Sequence, residues 1–257
     1  DLFLRIERHG AGYRPCPTAN ALGYIGLANY EACVTGMPAY ASLEGYYNNI
    51  NIPNALVNQE YHWPTVVNAV NRYMYSRLFP EVRQELYSEI KVLADKLDKE
   101  FEADATADVL IRSKNHGEAV AAAVWEYMKT DPATFDKYKD PFENYDWEAN
   151  YKKDGDWVPT FPGPNKGMFP YWGKGRTLAI KEDLKICKPY SVYIGQYSEE
   201  AGSALYTQAV EVMAQNTPSL SYQTEWVGEF WSDDLLGLTF SPPTRFIAIA
   251  NQVYNNE

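Results

Sequence analysis

This 257-residue sequence is short of the residues that build most reactive centres. It has only three cysteines and three histidines. Cys16, Cys33 and Cys187 leave at least one thiol unpaired, and no Cys-x-x-Cys or mixed Cys/His spacing occurs. That pattern argues against a disulfide framework and against a structural zinc site. Basic residues are also scarce, with 23 Lys+Arg against 34 Asp+Glu and a net charge of −11. A nucleic-acid surface needs the opposite balance. No run of ~18 apolar residues is present, so no segment reads as a bilayer span. No Gly-x-Ser-x-Gly nucleophile turn occurs. The Gly-rich stretch Trp172-Gly173-Lys174-Gly175-Arg176 lacks the Walker pattern and follows no strand, which leaves a surface loop.

Aromatics are abundant: 7 Trp, 21 Tyr and 10 Phe, 15% of the chain. Tyrosine suits half-wet surfaces, because its ring buries while its hydroxyl still needs a partner. A Tyr-rich secreted protein and a carbohydrate- or aromatic-binding surface both fit. The start at Asp1 rather than Met is read as loss of an upstream segment, by export processing or by trimming. With a hydrophobic fraction of 46%, the chain has enough apolar material for a folded core.

Periodicity predicts helices throughout and no strand of any strength. The first helix signal is Thr18, a plausible N-cap, followed by Leu22, Ile25, Leu27 and Ala28 and stopped near Gly36-Met37-Pro38. Gly23 and Gly26 in that run suit the close approach of a second helix. After a Tyr/Asn-rich loop over 38–62, a helix starts near Thr65 and ends at Pro80. The next follows from Pro80 on the stripe Val82, Leu86, Ile90, Leu93, Leu97 and Phe101. A helix from about Thr106 to Thr130 contains Ala119–Val124, small and apolar all round, which implies burial on several sides. Residues 131–190 then turn Pro- and Gly-rich, with Trp147, Trp157 and Trp172 and a weak helix signal at Thr177–Lys185. A loop this long is either functional or a wrapping segment pinned by its aromatics. Helices return over 199–215, capped by Ser198, and after Ser221, with Trp226, Val227, Phe230 and Trp231. Ser241-Pro242-Pro243 launches a last helix that is nearly apolar on all sides and belongs inside a bundle. The expected fold is all-α: one domain of about seven helices, with helices over 1–130 and 191–257 and an irregular wrapping segment over 131–190.

The run Arg14-Pro15-Cys16-Pro17-Thr18-Ala19-Asn20-Ala21-Leu22-Gly23-Tyr24-Ile25-Gly26-Leu27-Ala28-Asn29-Tyr30-Glu31-Ala32 resembles the opening helix of vanadium-dependent haloperoxidase-like proteins, in the type 2 phosphatidic acid phosphatase superfamily. Gly36-Met37-Pro38, Trp157-Val158-Pro159-Thr160 and Phe230-Trp231-Ser232-Asp233-Asp234 followed by Ser241-Pro242-Pro243 are similar too. The resemblance implies an oxyanion site made of a Lys, two Arg, a Pro-Ser-Gly-His element and a final His. Guanidinium groups match tetrahedral oxyanions bidentately, and backbone N–H groups add donors. None of these parts is in this sequence. The only Arg-Pro is Arg14-Pro15, and Pro218-Ser219 is followed by Leu220-Ser221.

The resemblance therefore implies a structural amino-terminal half. A vanadate cofactor, halide oxidation by peroxide or phosphate-ester hydrolysis would belong to the complete protein, with its catalytic half elsewhere. The alternative is an inactive binding or assembly component of a bacterial envelope complex. Either reading expects an exported protein, periplasmic or associated with the outer membrane, that does not span the bilayer. The candidate pocket or interface residues are Trp231, Asp233, Asp234 and Arg245. Paired acids at a helix C-terminus oppose its dipole and need a reason to be there. Arg245, one turn into the last helix, is placed to meet them. Asp154-Gly155-Asp156 opens like a calcium loop but lacks the later ligands.

Overall fold

The structure is a computed structural model that describes residues 1–13, 15–160, 162–163, 165–180, 184–185, 196–215, 220–232 and 237–256. Among these residues nine α-helices and four short 3-10 turns form, and no strand. The α-helices are α1 (Leu2–Glu7), α2 (Pro15–Cys33), α3 (Trp63–Leu78), α4 (Gln84–Phe101), α5 (Ala107–Lys129), α6 (Trp147–Asn150), α7 (Ala204–Gln215), α8 (Tyr222–Trp231) and α9 (Pro242–Asn256). The all-α expectation holds. No helix among the described residues is long and apolar enough to cross a membrane.

The chain divides into two compact units, one of Asp1–Asp140 with Asp233–Glu257 and one of Pro141–Ser232. In the first, α3 and α5 form the most extensive pairing, with α2 laid against both. The sequence puts small and β-branched residues on the facing stripes. Val66, Ala69, Val70 and Met74 of α3 meet Val120, Ala121 and Val124 of α5, all buried. At Gly117 the two backbones approach so closely that a Cβ would stand 2.5 Å from the Val66 carbonyl oxygen. Tyr13 caps one end of this core. Its ring lies 4.6 Å from Phe79 and 4.8 Å from Tyr138, centroid to centroid, and its hydroxyl donates to the Leu78 carbonyl.

Several expectations shift. Residues 2–7, given no element, form α1, which buries Phe3, Leu4, Ile6 and Glu7. Helix α2 starts at Pro15 rather than at Thr18, since a proline costs nothing in a first turn whose N–H groups lack partners. Thr18 is a buried interior residue. Residues 80–83 are a turn, so α4 begins at Gln84, and its buried stripe runs through Ala94 while Leu93 is exposed. Asn68 of α3 explains the rotation, because its amide donates to the Ala94 carbonyl at 2.9 Å and seats α3 on that edge. In α5, Val120, Ala121 and Val124 are buried but Ala119 is exposed, so the small-residue run is enclosed on one side only.

The second unit keeps the irregular character expected of residues 141–180. Rings pin it: Tyr145 meets Trp157 and Tyr171 edge-on, and Phe169 meets Trp172. The Phe169 N–H donates to the Pro141 carbonyl at 2.7 Å. Residues 177–180 are not helical, and 181–183 of that expected helix lie outside the described residues. Helix α7 starts at Ala204, not at 199, because Gly202 sits at φ +90°, a conformation no helix interior accepts. Ser203 takes over the capping, accepting from the Tyr206 N–H at 3.2 Å. Ser221 caps α8 as expected, accepting from the Thr224 N–H at 3.2 Å.

Candidate functional site

Of the four candidate residues, Asp233 and Asp234 lie outside the described residues. Trp231 ends α8, exposed, with its ring edge-on to Phe230 at 5.1 Å. Arg245 is buried in the first turn of α9, and its guanidinium donates to the Phe240 carbonyl at 3.2 Å. The Arg245 N–H donates to the Ser241 carbonyl at 3.0 Å, so the Ser-Pro-Pro start acts as read.

Around Arg245 the structure assembles a buried polar knot. Glu7 of α1 is 2% exposed. Its carboxylate accepts from the Thr18 hydroxyl of α2 at 3.0 Å, and the Thr244 hydroxyl of α9 shares its one proton between the Ser241 carbonyl at 2.9 Å and the Glu7 carboxylate at 3.2 Å. The Ser241 and Thr244 hydroxyls lie 2.9 Å apart. One carboxylate thus ties three helices together, across a separation of 237 residues for the Glu7–Thr244 bond. A buried carboxylate without donors would be strongly destabilising, and each hydroxyl removes part of that cost. The sequence does mark the residue. Glu7 falls on the apolar side of Leu2–Glu7, beside Phe3, Leu4 and Ile6, where an acid needs a partner.

The knot closes only one end of α9. Beyond Arg245 the helix is open to solvent, with Phe246 62% and Val253 54% exposed and Ile247, Ile249 and Tyr254 exposed as well. Among the described residues the last helix is therefore not enclosed. Helix α7 likewise exposes Leu205, Tyr206, Val210, Val212 and Met213. No residue of α7 is buried among the described residues.

The histidines serve the core. His116 is buried in α5, and its Nε2 lies 3.0 Å from the Ala32 carbonyl oxygen. Burial lowers its pKa below the usual histidine value, and that hydrogen bond partly opposes the shift. His62 bonds the Thr65 hydroxyl through Nδ1 at 2.8 Å, and its N–H donates to Ser113 Oγ at 2.8 Å. Two of the pockets on the first unit bear on the question of a ligand. One, of about 320 Å³, is bordered by Thr65, Asp98, Glu102, Leu110, Ile111 and Lys114. There Asp98 is already held by Lys114 at 2.9 Å and by the Asn68 amide at 2.7 Å. The other, of about 220 Å³, has Glu31 in its wall.

These residues do not fit a vanadate. A tetrahedral oxyanion needs cations and N–H donors converging on one point. Here both pockets present carboxylates, and Arg72, Lys114 and Arg5 are paired with Asp95, Asp98 and Glu89. Among the described residues no group of three or more His, Cys, Asp or Glu could hold a metal ion.

No protein-family model matches the chain, and no curated protein resembles it in sequence. Its fold, however, is one already seen in a peroxidase. A crystal structure described as that of the first bacterial vanadium-dependent iodoperoxidase superposes with a TM-score of 0.64 at 23% sequence identity. The match covers 91% of this chain and 51% of the other, so this chain spans about half the length of that structure. At that identity the likeness is one of fold.

Proposed function

We propose that this chain is the amino-terminal scaffold of a vanadium haloperoxidase-like or phosphatase-like protein, whose oxyanion-binding groups lie on further polypeptide. The observation that supports this most is the half-length match: nearly all of this chain lies along about half of the iodoperoxidase. The uncovered apolar residues of α9 agree with it, since Phe246, Ile249 and Val253 offer a surface for another helix. The chain's own part in the reaction is structural. It buries Glu7, Thr18 and Thr244 to hold α9 in place and presents that helix to the catalytic portion. In the complete protein, halide oxidation with hydrogen peroxide on vanadate, or hydrolysis of a phosphate ester, is the expected chemistry. Export to the periplasm or the outer surface belongs to the same reading.

The test is to obtain the polypeptide that continues from, or co-purifies with, residues 1–257. That material should carry the Pro-Ser-Gly-His element and a downstream Arg and His. It should bind vanadate in equilibrium dialysis, and oxidise iodide with peroxide or hydrolyse p-nitrophenyl phosphate. Residues 1–257 alone should do none of these. Complete material that lacks the motif and is inert in all three assays overturns the reading. The result would then favour an inactive assembly component of the envelope. The exposed Tyr222, Trp226 and Trp231 on α8 favour that second reading.

A further inference from the structure

Glu31 lies within α2 and is 3% exposed. Its Oε2 accepts from the Ser42 hydroxyl at 2.8 Å and its Oε1 from the Leu43 N–H at 2.6 Å. An ionised carboxylate offers about four acceptor positions, so roughly half of its capacity is unused. Among the described residues no cation is paired with it. An ion buried without a counter-charge is costly, and a cation beside it lowers that cost. Glu7 offers the useful contrast. It too is buried with hydroxyl donors, but it lies among α1, α2 and α9, whereas Glu31 is in the wall of the pocket of about 220 Å³.

The rest of that pocket limits what can enter. Val34 and Ile52 form apolar wall, and Thr35, Tyr40 and Asn54 add hydroxyl and amide oxygens that can accept hydrogen bonds. The only charged group in the wall is negative. Its field reaches its neighbours. Burial first, then Tyr127 and Tyr46, and then Glu31 hold the Tyr47 hydroxyl above the usual tyrosine pKa. A hard metal ion wants about six to eight oxygen ligands, and a single carboxylate does not supply them. An ammonium group needs only a few acceptors and one negative charge, and its alkyl tail matches the apolar wall. The volume lies below the ~300–1,000 Å³ of ordinary ligand pockets, so the tail is short.

We infer that the pocket beside Glu31 binds a small organic ammonium ion, a protonated primary amine with a short alkyl chain, through a charge-assisted hydrogen bond to the Glu31 carboxylate. The second wall comes from the segment 52–55, tied to the turn that follows Leu43 by the Ile52 N–H donating to Glu44 at 2.8 Å. The occupied pocket would therefore stiffen residues 42–55. This inference is independent of where the oxidation chemistry lies.

The experiment is an NMR titration of the 15N-labelled 257-residue chain with n-butylammonium chloride, matched against n-butanol and sodium chloride. Saturable shifts are expected at the Thr35, Leu43 and Asn54 amides with n-butylammonium and not with either control. Glu31→Gln should weaken the binding at least about tenfold, the size expected for loss of a hydrogen bond to a charged group. Should Glu31→Gln disturb the 42–43 segment, Ala55→Phe gives a second arm, because it fills the pocket and leaves the carboxylate untouched. That variant should also lose binding. Equal shifts with n-butanol or sodium chloride, unweakened binding in Glu31→Gln, or full binding in Ala55→Phe would each overturn the proposal.

Discussion

Two glycine-to-alanine substitutions, chemically identical, should move stability in opposite directions. In α5, a Cβ on Gly117 would lie 2.5 Å from the Val66 carbonyl oxygen and 3.1 Å from the Ala69 Cβ. Both neighbours belong to α3, and the closer one is backbone, so no side-chain rotation relieves the contact. Reaching a tolerable distance requires roughly 0.5–0.9 Å of separation between the helices, enough to forfeit a quarter to a half of each affected dispersion contact. The side chains that lose contact are Val66, Val70, Met74, Val120 and Val124, all fully buried. Overpacking of this kind costs about 1–3 kcal/mol, and alanine returns ~1 kcal/mol of helix propensity. Gly117→Ala should therefore be destabilised, by up to about 2 kcal/mol. In α2, nothing lies within 4 Å of a Cβ on Gly26, so Gly26→Ala keeps only the propensity gain and should be stabilised by about 0.5–1 kcal/mol. Urea unfolding followed by far-UV circular dichroism would rank wild type between the two variants. Gly117→Ala as stable as Gly26→Ala would refute the close approach of α3 and α5.

The polar knot and the histidines give further tests. Thr244→Val removes the hydroxyl that the Glu7 carboxylate shares with the Ser241 carbonyl, and should cost about 1–2 kcal/mol and loosen α9 first, read as faster proteolysis near residues 237–241. Unchanged urea and protease resistance would show that the bond is not needed. His116 has a folded-state pKa below its unfolded value, so the unfolded chain binds the proton more readily. Its contribution to stability is complete above pH ~6.5 and declines as pH falls towards the folded pKa, with a slope of at most ~1.4 kcal/mol per pH unit. His9 is lowered as well, chiefly by burial, so the His116 share is the slope lost in His116→Gln; identical slopes would contradict the assignment. Val253→Asp, at an exposed position of α9, should leave the melting temperature of residues 1–257 within about 1–2 °C, since surface changes fall within ±0.5 kcal/mol. On the scaffold reading proposed above, the same change should abolish the activity of the complete protein, and full activity there would argue that α9 contacts nothing further.

The long helices were legible because their burial is periodic. Helices α3, α4 and α5 each carry several turns of one stripe, and Pro64, Pro80 and Thr106 mark their ends. Helix α1 has six residues, too few for a stripe to repeat, so its sequence carries no periodic signal. With it went Glu7, whose role is set by partners in α2 and α9. The start of α7 was misplaced because Ser198 and Ser203 are equally good caps by residue type. Gly202 decides between them only once its backbone is known to be left-handed. Thr18 looked like a cap for the reason that makes threonine useful in the knot: a short side chain with a hydroxyl. Arg245 is expected from the sequence to meet Asp233 and Asp234, which lie outside the described residues, and its carbonyl partner Phe240 carries no sequence signal. The uncovered apolar faces of α7 and α9 were visible only as composition; whether a chain covers its own helices is a property of its three-dimensional packing.

The polar knot also has a consequence for synthesis. Residues 1–140 leave the ribosome first, and Glu7 then has Thr18 but not Thr244, which is translated more than two hundred residues later. At the synthesis rates typical of cells, ~5–20 residues per second, that acid waits on the order of ten seconds or more for its second donor. During that interval the nascent bundle holds a half-satisfied ion at its seam, which marks the place where a chaperone would be expected to linger.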